Sequence, residues 1–144
     1  MNYVPILSLI VSIIGFGDAA YLVAHHYLST PLPCTIFQGC DVVTRSPYST
    51  IGPISVALLG ALYYLALCIL LVAYIDTKKT SLALLAARLT PLGFCASLWF
   101  IFVQAVLLKA WCLYCIVSAT TSTLLFVLGM ITLLFHSSSK KGSQ

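Results

Sequence analysis

The sequence has no glutamate, three aspartates and seven Lys or Arg, so only 7% of its 144 residues carry charge. A soluble domain usually carries about 25%. Nothing would solvate the surface of a chain that is 61% apolar. The shortage excludes a soluble globular protein and a disordered chain. A net charge of +4 is too sparse for a phosphate-binding face, so no nucleic-acid partner is expected. Alternating apolar and polar residues are also missing, which excludes a membrane β-barrel. The apolar runs are continuous, as in Ala57-Leu58-Leu59-Gly60-Ala61-Leu62. There is no internal repeat, no Gly-x-Gly-x-x-Gly turn and no haem-type Cys-x-x-Cys-His.

What is present is enough apolar sequence for an integral membrane protein. A bilayer-spanning helix needs about 20 apolar residues. The chain reads as an all-α bundle of four transmembrane helices, over residues 4–27, 53–74, 89–108 and 111–135. A long loop, Ser29 to Gly52, joins the first two. It is punctuated by Pro31, Pro33, Gly39, Pro47 and Gly52, which are turn formers. Residues 1–136 read as one domain and 137–144 as a disordered cytoplasmic tail. A cleaved signal peptide is disfavoured, because no basic segment precedes the first apolar run and that run continues past Ala19-Ala20.

Orientation follows from Lys and Arg near the span ends. Lys78, Lys79, Lys140, Lys141 and Arg88 fall on one side, Arg45 and Lys109 on the other. The bias places both termini in the cytoplasm of a cell (inner or plasma) membrane. The long loop and the Lys109 turn then face outward.

Six cysteines stand out against this background. Cys34 and Cys40 lie in the outer loop, and Cys112-Leu113-Tyr114-Cys115 opens span four. Residues at i and i+3 share a helix face, so the second pair can close a short disulfide ring. Its first sulfur sits at a helix amino terminus, where the dipole favours thiolate. Cys-x-x-Cys also occurs as a zinc half-site or as two small apolar residues. Both pairs, however, fall on one oxidising side, where disulfides persist, and the histidines lie in span one and at the far end of span four. Thiol–disulfide redox is favoured and no metal centre is expected. Cys68 and Cys95 lie about 20 Å below the outer surface and read as buried small hydrophobes.

Electrons from such a relay need an acceptor, and the chain has no unit to bind flavin or nicotinamide. By elimination, the acceptor is a quinone from the membrane pool. Gln104 lies about two turns from Cys112 across a tight hairpin. It either donates to a quinone oxygen or makes a packing hydrogen bond. Asp18, Tyr21 and His25 share a face of span one, as a proton path or as a hydrogen-bonded cluster. Trp111 and Tyr114 read as interface anchors, and Asp41 as a turn or cap residue.

The residues resemble the prokaryotic branch of the vitamin K epoxide reductase (VKOR) family. The matching pieces are Gly17-Asp18-Ala19-Ala20-Tyr21-Leu22, Cys34 through Cys40-Asp41, Ser46-Pro47-Tyr48, Gly52-Pro53 and Trp111-Cys112-Leu113-Tyr114-Cys115. The proteobacterial quinone-linked disulfide generator has a similar bundle but carries its Cys-x-x-Cys in the first outer loop. The resemblance implies that Cys112 and Cys115 are the active pair beside a ubiquinone- or menaquinone-type cofactor. It implies that Cys34 and Cys40 shuttle electrons, with Cys40 attacking Cys112. It places Ser46 near the active centre and Tyr48 at an aromatic loop position, which makes both candidate quinone-binding residues. The implied partner is a thioredoxin-fold protein. Many prokaryotic members carry such a domain after a fifth span; this chain stops after the fourth, so the partner is expected to be separate. Animal members have Tyr four residues after the last Cys. Ala119 stands there, which argues against vitamin K epoxide as a substrate.

The expected activity is quinone-linked disulfide formation. One rival runs the relay in reverse and reduces a quinone or its epoxide with thiols. The other is a small transporter or assembly subunit with structural cysteines, disfavoured because no span carries paired charges.

Overall fold

A computed structural model describes residues 3–31, 33–34 and 39–143. Residues 32 and 35–38 of the expected outer loop lie outside the described residues, as does residue 144. Four long helices form the bundle: α1 (Tyr3–Leu28), α3 (Val56–Thr77), α4 (Thr80–Phe102, continued by a π-helical stretch Val103–Leu108) and α5 (Leu113–Lys141). Each is long and apolar enough to cross a membrane. Each packs on its neighbours in chain order, and α5 closes the ring against α1. The architecture is the expected all-α four-helix bundle.

The helices meet along narrow seams of small residues. On α1 the buried positions are Ser8, Val11, Ser12, Gly15, Ala19 and Leu22, one face at helical spacing. On α4 they are Ala83, Ala86, Ala87, Thr90 and Gly93. Small residues let membrane helices approach closely, where lipid removes the usual hydrophobic drive. A side chain at Gly15 would run into the ring of Tyr64 on α3. That ring is the largest fully buried side chain. Its hydroxyl donates to the Ser118 carbonyl and bonds the Thr121 and Ser122 hydroxyls, each at 2.8 Å. Tyr64 thus ties α3 to α5 through the core. Large apolar side chains such as Leu92, Ile69 and Ile13 point outward, as a lipid-facing surface requires.

Several hydroxyls inside the spans are satisfied locally, because lipid offers no alternative. Ser8 and Ser12 donate to the carbonyls of Val4 and Ser8. Pro91 lacks the amide that would bond the Ala87 carbonyl. The Thr90 hydroxyl donates to that carbonyl instead, at 2.7 Å, and α4 continues through the proline.

Two boundaries differ from the sequence reading. Span three begins at Thr80, well before residue 89. Arg88 lies on the exposed side about 12 Å into the helix, where its long stem reaches toward the interface. Helix α5 continues to Lys141, through polar residues 137–141 that were expected to be disordered. Lys140 and Lys141 occupy its last turn, where cations suit the helix dipole.

The segment between α1 and α3 folds against one end of the bundle. It contains α2 (Cys40–Thr44), a 3₁₀ turn (Pro47–Ser49) and a two-rung antiparallel ladder of β1 (Thr50–Ile51) with β2 (Ile54–Ser55). Gly52 adopts φ +62° at the ladder turn, which glycine does without strain. Ser29, Lys78 and Lys109 also take positive φ and end α1, α3 and α4 in a left-handed cap.

Candidate active site

The site is built where the loop end of the bundle meets the start of α5. Lys109 ends α4 and a short turn leads through Ala110 and Trp111 to Cys112, the residue that caps α5. Gln104 holds both arms of this turn. Its backbone carbonyl accepts the Ala110 amide at 3.2 Å. Its side-chain Oε1 accepts the Cys112 amide at 2.9 Å. The wide π-helical turn carries Val103 and Gln104 inward while Ala105, Val106 and Leu107 stay outside. Such π turns recur at functional sites.

Cys112 is fully buried, at 0% exposure, and Cys40 at 1%. Both belong to one apolar cluster with Leu22 of α1 and Val43 of α2. Cys34, Cys115, Tyr114, Leu108 and Ala57 pack against it. The four cysteines that the sequence singled out are therefore brought together. Cys34 and Cys40 are joined by a disulfide, with Cα atoms 6.3 Å apart. Cys112 and Cys115 are free thiols.

Gly39 makes this juxtaposition possible. A Cβ there would lie 2.8 Å from both the amide nitrogen and the carbonyl oxygen of Trp111. Backbone therefore rests directly on backbone. The residues that follow each contact point are Cys40 and Cys112.

Cys112 sits just before the first residue of α5, where amides are unpaired. The Cys115 thiol hydrogen-bonds its sulfur, and the amides of Cys115 and Tyr114 add to this. Together they hold Cys112 below the usual thiol range, against burial and the charge of Asp18. These contacts favour thiolate at Cys112, the form in which a thiol is reactive.

Gln104 fills one of the two roles that its position suggested. Oε1 makes the packing hydrogen bond, and that bond fixes the amide orientation. Nε2 is then left as a buried donor with no partner among the described residues, in a side chain only 1% exposed. Gln104→Leu strands the buried Cys112 amide, at a cost of about 1–3 kcal/mol. A thermal unfolding scan in detergent should show a corresponding fall, and an unchanged midpoint would contradict this role.

Other candidates are placed less centrally. The Ser46 hydroxyl donates to the Val43 carbonyl at 2.8 Å, closing the end of α2 beneath the cluster. Tyr48 is 43% exposed and lies outside the cluster. Asp41 occupies the first turn of α2. Trp111 is exposed and Tyr114 half-buried. Cys68 is half-buried on α3, and Cys95 is exposed on α4, which corrects the expectation that both are buried. They lie about 18 and 20 Å from the helix ends that carry the site.

Sequence reasoning missed Gly39, whose role depends on a contact across some seventy residues, and Tyr64, whose partners lie on α5. No curated protein matches the chain. Residues 6–130 match the vitamin K epoxide reductase family, and the match covers most of the chain. The chain belongs to that family of membrane oxidoreductases, whose cysteines carry out thiol-based redox chemistry with a quinone.

Proposed function

We propose that the protein generates disulfides for a thioredoxin-fold partner and passes the electrons to a quinone. The single observation that carries this reading is the shared burial of Cys40 and Cys112 in one cluster. The partner's dithiol reduces Cys34–Cys40. The Cys40 thiolate attacks the Cys112 sulfur of an oxidised Cys112–Cys115 pair, and Cys115 leaves as a thiolate that takes up a proton. Cys34 then attacks Cys40, restoring the loop disulfide and releasing Cys112. The inner pair returns to its disulfide by giving up two electrons.

A bound quinone supplies a two-electron, two-proton acceptor at that point. The residues fit such a group, since the buried Gln104 Nε2 donor has no acceptor among the described residues and a carbonyl oxygen is its complement. Gln104 would hold the group beside Cys112, while the Cys112 thiolate and Cys115 thiol supply the electrons. The geometry favours Gln104 over Ser46 and Tyr48 for this contact. The Ser46 hydroxyl is committed to backbone, and the Tyr48 ring is exposed.

The test is purified protein in detergent with a quinone and a reduced thioredoxin-fold substrate, followed by quinone absorbance. Loss of quinone absorbance with oxidation of the substrate supports the reading. Thiol consumption that instead reduces an epoxide would support the reverse direction.

We also propose that the cysteine end faces outward in a cell membrane and that both termini are cytoplasmic. Lys78, Lys79, Lys140 and Lys141 mark the other end of the bundle. Reporter fusions should place residue 45 outside and residues 78 and 144 inside. A carboxy terminus found outside would break this topology.

A further inference from the structure

Asp18 lies inside α1 one turn before Leu22, on the same face and about 6 Å deeper. Leu22 belongs to the cluster that holds Cys40 and Cys112. Cys115 lies three residues beyond Cys112 along α5, about 4.5 Å deeper. Asp18 therefore stands near the level of Cys115, on the helix packed against α5. Its carboxyl lies within electrostatic reach of Cys112, Tyr114 and Cys115.

The Asp18 carboxyl is not used up by structure. Its Oδ2 is buried and has no hydrogen-bond partner among the described residues. The expected hydrogen-bonded cluster with Tyr21 and His25 does not satisfy it. The Tyr21 ring packs at a tilt against His25, with centroids 4.4 Å apart, and against Tyr114, at 5.1 Å. His25 Nδ1 pairs with the Thr30 hydroxyl at 2.8 Å. Buried polar atoms that serve structure are hydrogen-bonded, and an ionisable group inside a span is costly.

The geometry points to Asp18 as the group that takes the proton from Cys115 and delivers it to the bound electron acceptor. This rests on the function proposed above. As the inner disulfide closes, the Cys112–Cys115 Sγ–Sγ bond forms and the Cys115 S–H bond breaks. Two electrons leave the sulfurs for the quinone. The Asp18 carboxylate accepts the Cys115 proton, hands it on and returns to its starting state. The second proton comes from outer water, replacing the one that Cys112 lost when it became a thiolate. One thiolate, one thiol, one quinone and one proton thus give one disulfide and one quinol. The titratable and charged groups around Asp18 are Tyr21 and His25 on α1, and Cys112, Tyr114 and Cys115 at the start of α5. Tyr64 of α3 lies one turn deeper against Gly15. Asp41 and Arg45 of the loop and Lys109 of the turn lie above.

The test compares wild type with Asp18→Asn and Asp18→Glu, all in detergent. In a single turnover with fully reduced protein, Asp18→Asn should slow quinone reduction about 100-fold, the scale of a lost general acid–base group. Asp18→Glu should recover much of the rate. Exchange between an outside dithiol and Cys34–Cys40 should keep its wild-type rate in both. A second readout needs no quinone. The ultraviolet absorbance of the Cys112 thiolate should appear at lower pH in Asp18→Asn, because the opposing charge is gone. A wild-type rate in Asp18→Asn, an unmoved thiolate titration, or equal slowing of the Cys34–Cys40 exchange would each overturn the assignment while leaving the proposed function standing. A wild-type protein that cannot reduce quinone would overturn both.

Discussion

Cys112→Ser and Cys115→Ser each reduce thiol-dependent quinone reduction to the uncatalysed rate of the mixture. One remaining sulfur cannot close the intramolecular disulfide, and a hydroxyl neither attacks disulfides nor gives up electrons at these potentials. The two losses have different origins. Cys112 is the sulfur at which Cys115 and the first amides of α5 favour thiolate. Cys115 supplies the second sulfur and its proton. Cys68→Ser and Cys95→Ser should keep activity, since both sulfurs lie about 18–20 Å from the site along their helices. The check is quinone absorbance with a small dithiol as electron source. Loss of activity in folded Cys68→Ser or Cys95→Ser protein would overturn the assignment of the pair.

The loop cysteines should show a split rather than a simple loss. Cys34→Ser and Cys40→Ser block oxidation of a thioredoxin-fold partner but still permit oxidation of a small dithiol. The partner is too large to reach Cys112, which is fully buried beneath the loop; a small dithiol can diffuse to the inner disulfide. Gly39→Ala provides the same split with every sulfur intact. Its new Cβ would meet the Trp111 backbone at 2.8 Å, and backbone cannot rotate aside. The loop must lift, and Cys40 moves away from Cys112. Equal loss with both substrates in these variants would make the loop pair structural.

The spans were legible because continuous apolar runs have few alternatives in a chain with so little charge. The order of the cysteine pairs and the positive-inside bias used only local sequence, and both pairs lie at one end of the bundle. The start of α4 was misplaced because Arg88 looked like a flank, whereas a helix longer than the bilayer can carry it on the exposed side. Gln104 was located by helical counting, but its grip on the Cys112 turn depends on π-helical widening that the sequence does not signal. The closeness of Cys40 to Cys112 rests on the absence of a side chain at Gly39. In sequence that glycine looks like any other loop residue.

The most direct measurement is a disulfide trap between loop and active pair. In a Cys34→Ser, Cys115→Ser double variant, Cys40 and Cys112 are the remaining outer thiols. Oxidation followed by peptide mass spectrometry should find them cross-linked, because a disulfide needs Cα atoms within about 7 Å and both residues share one buried cluster. If Cys34 instead cross-links to Cys112 in the matching Cys40→Ser, Cys115→Ser protein while Cys40 does not, the order of transfer is wrong. If neither forms and small-dithiol oxidation is lost with the loop cysteines, the relay itself is contradicted.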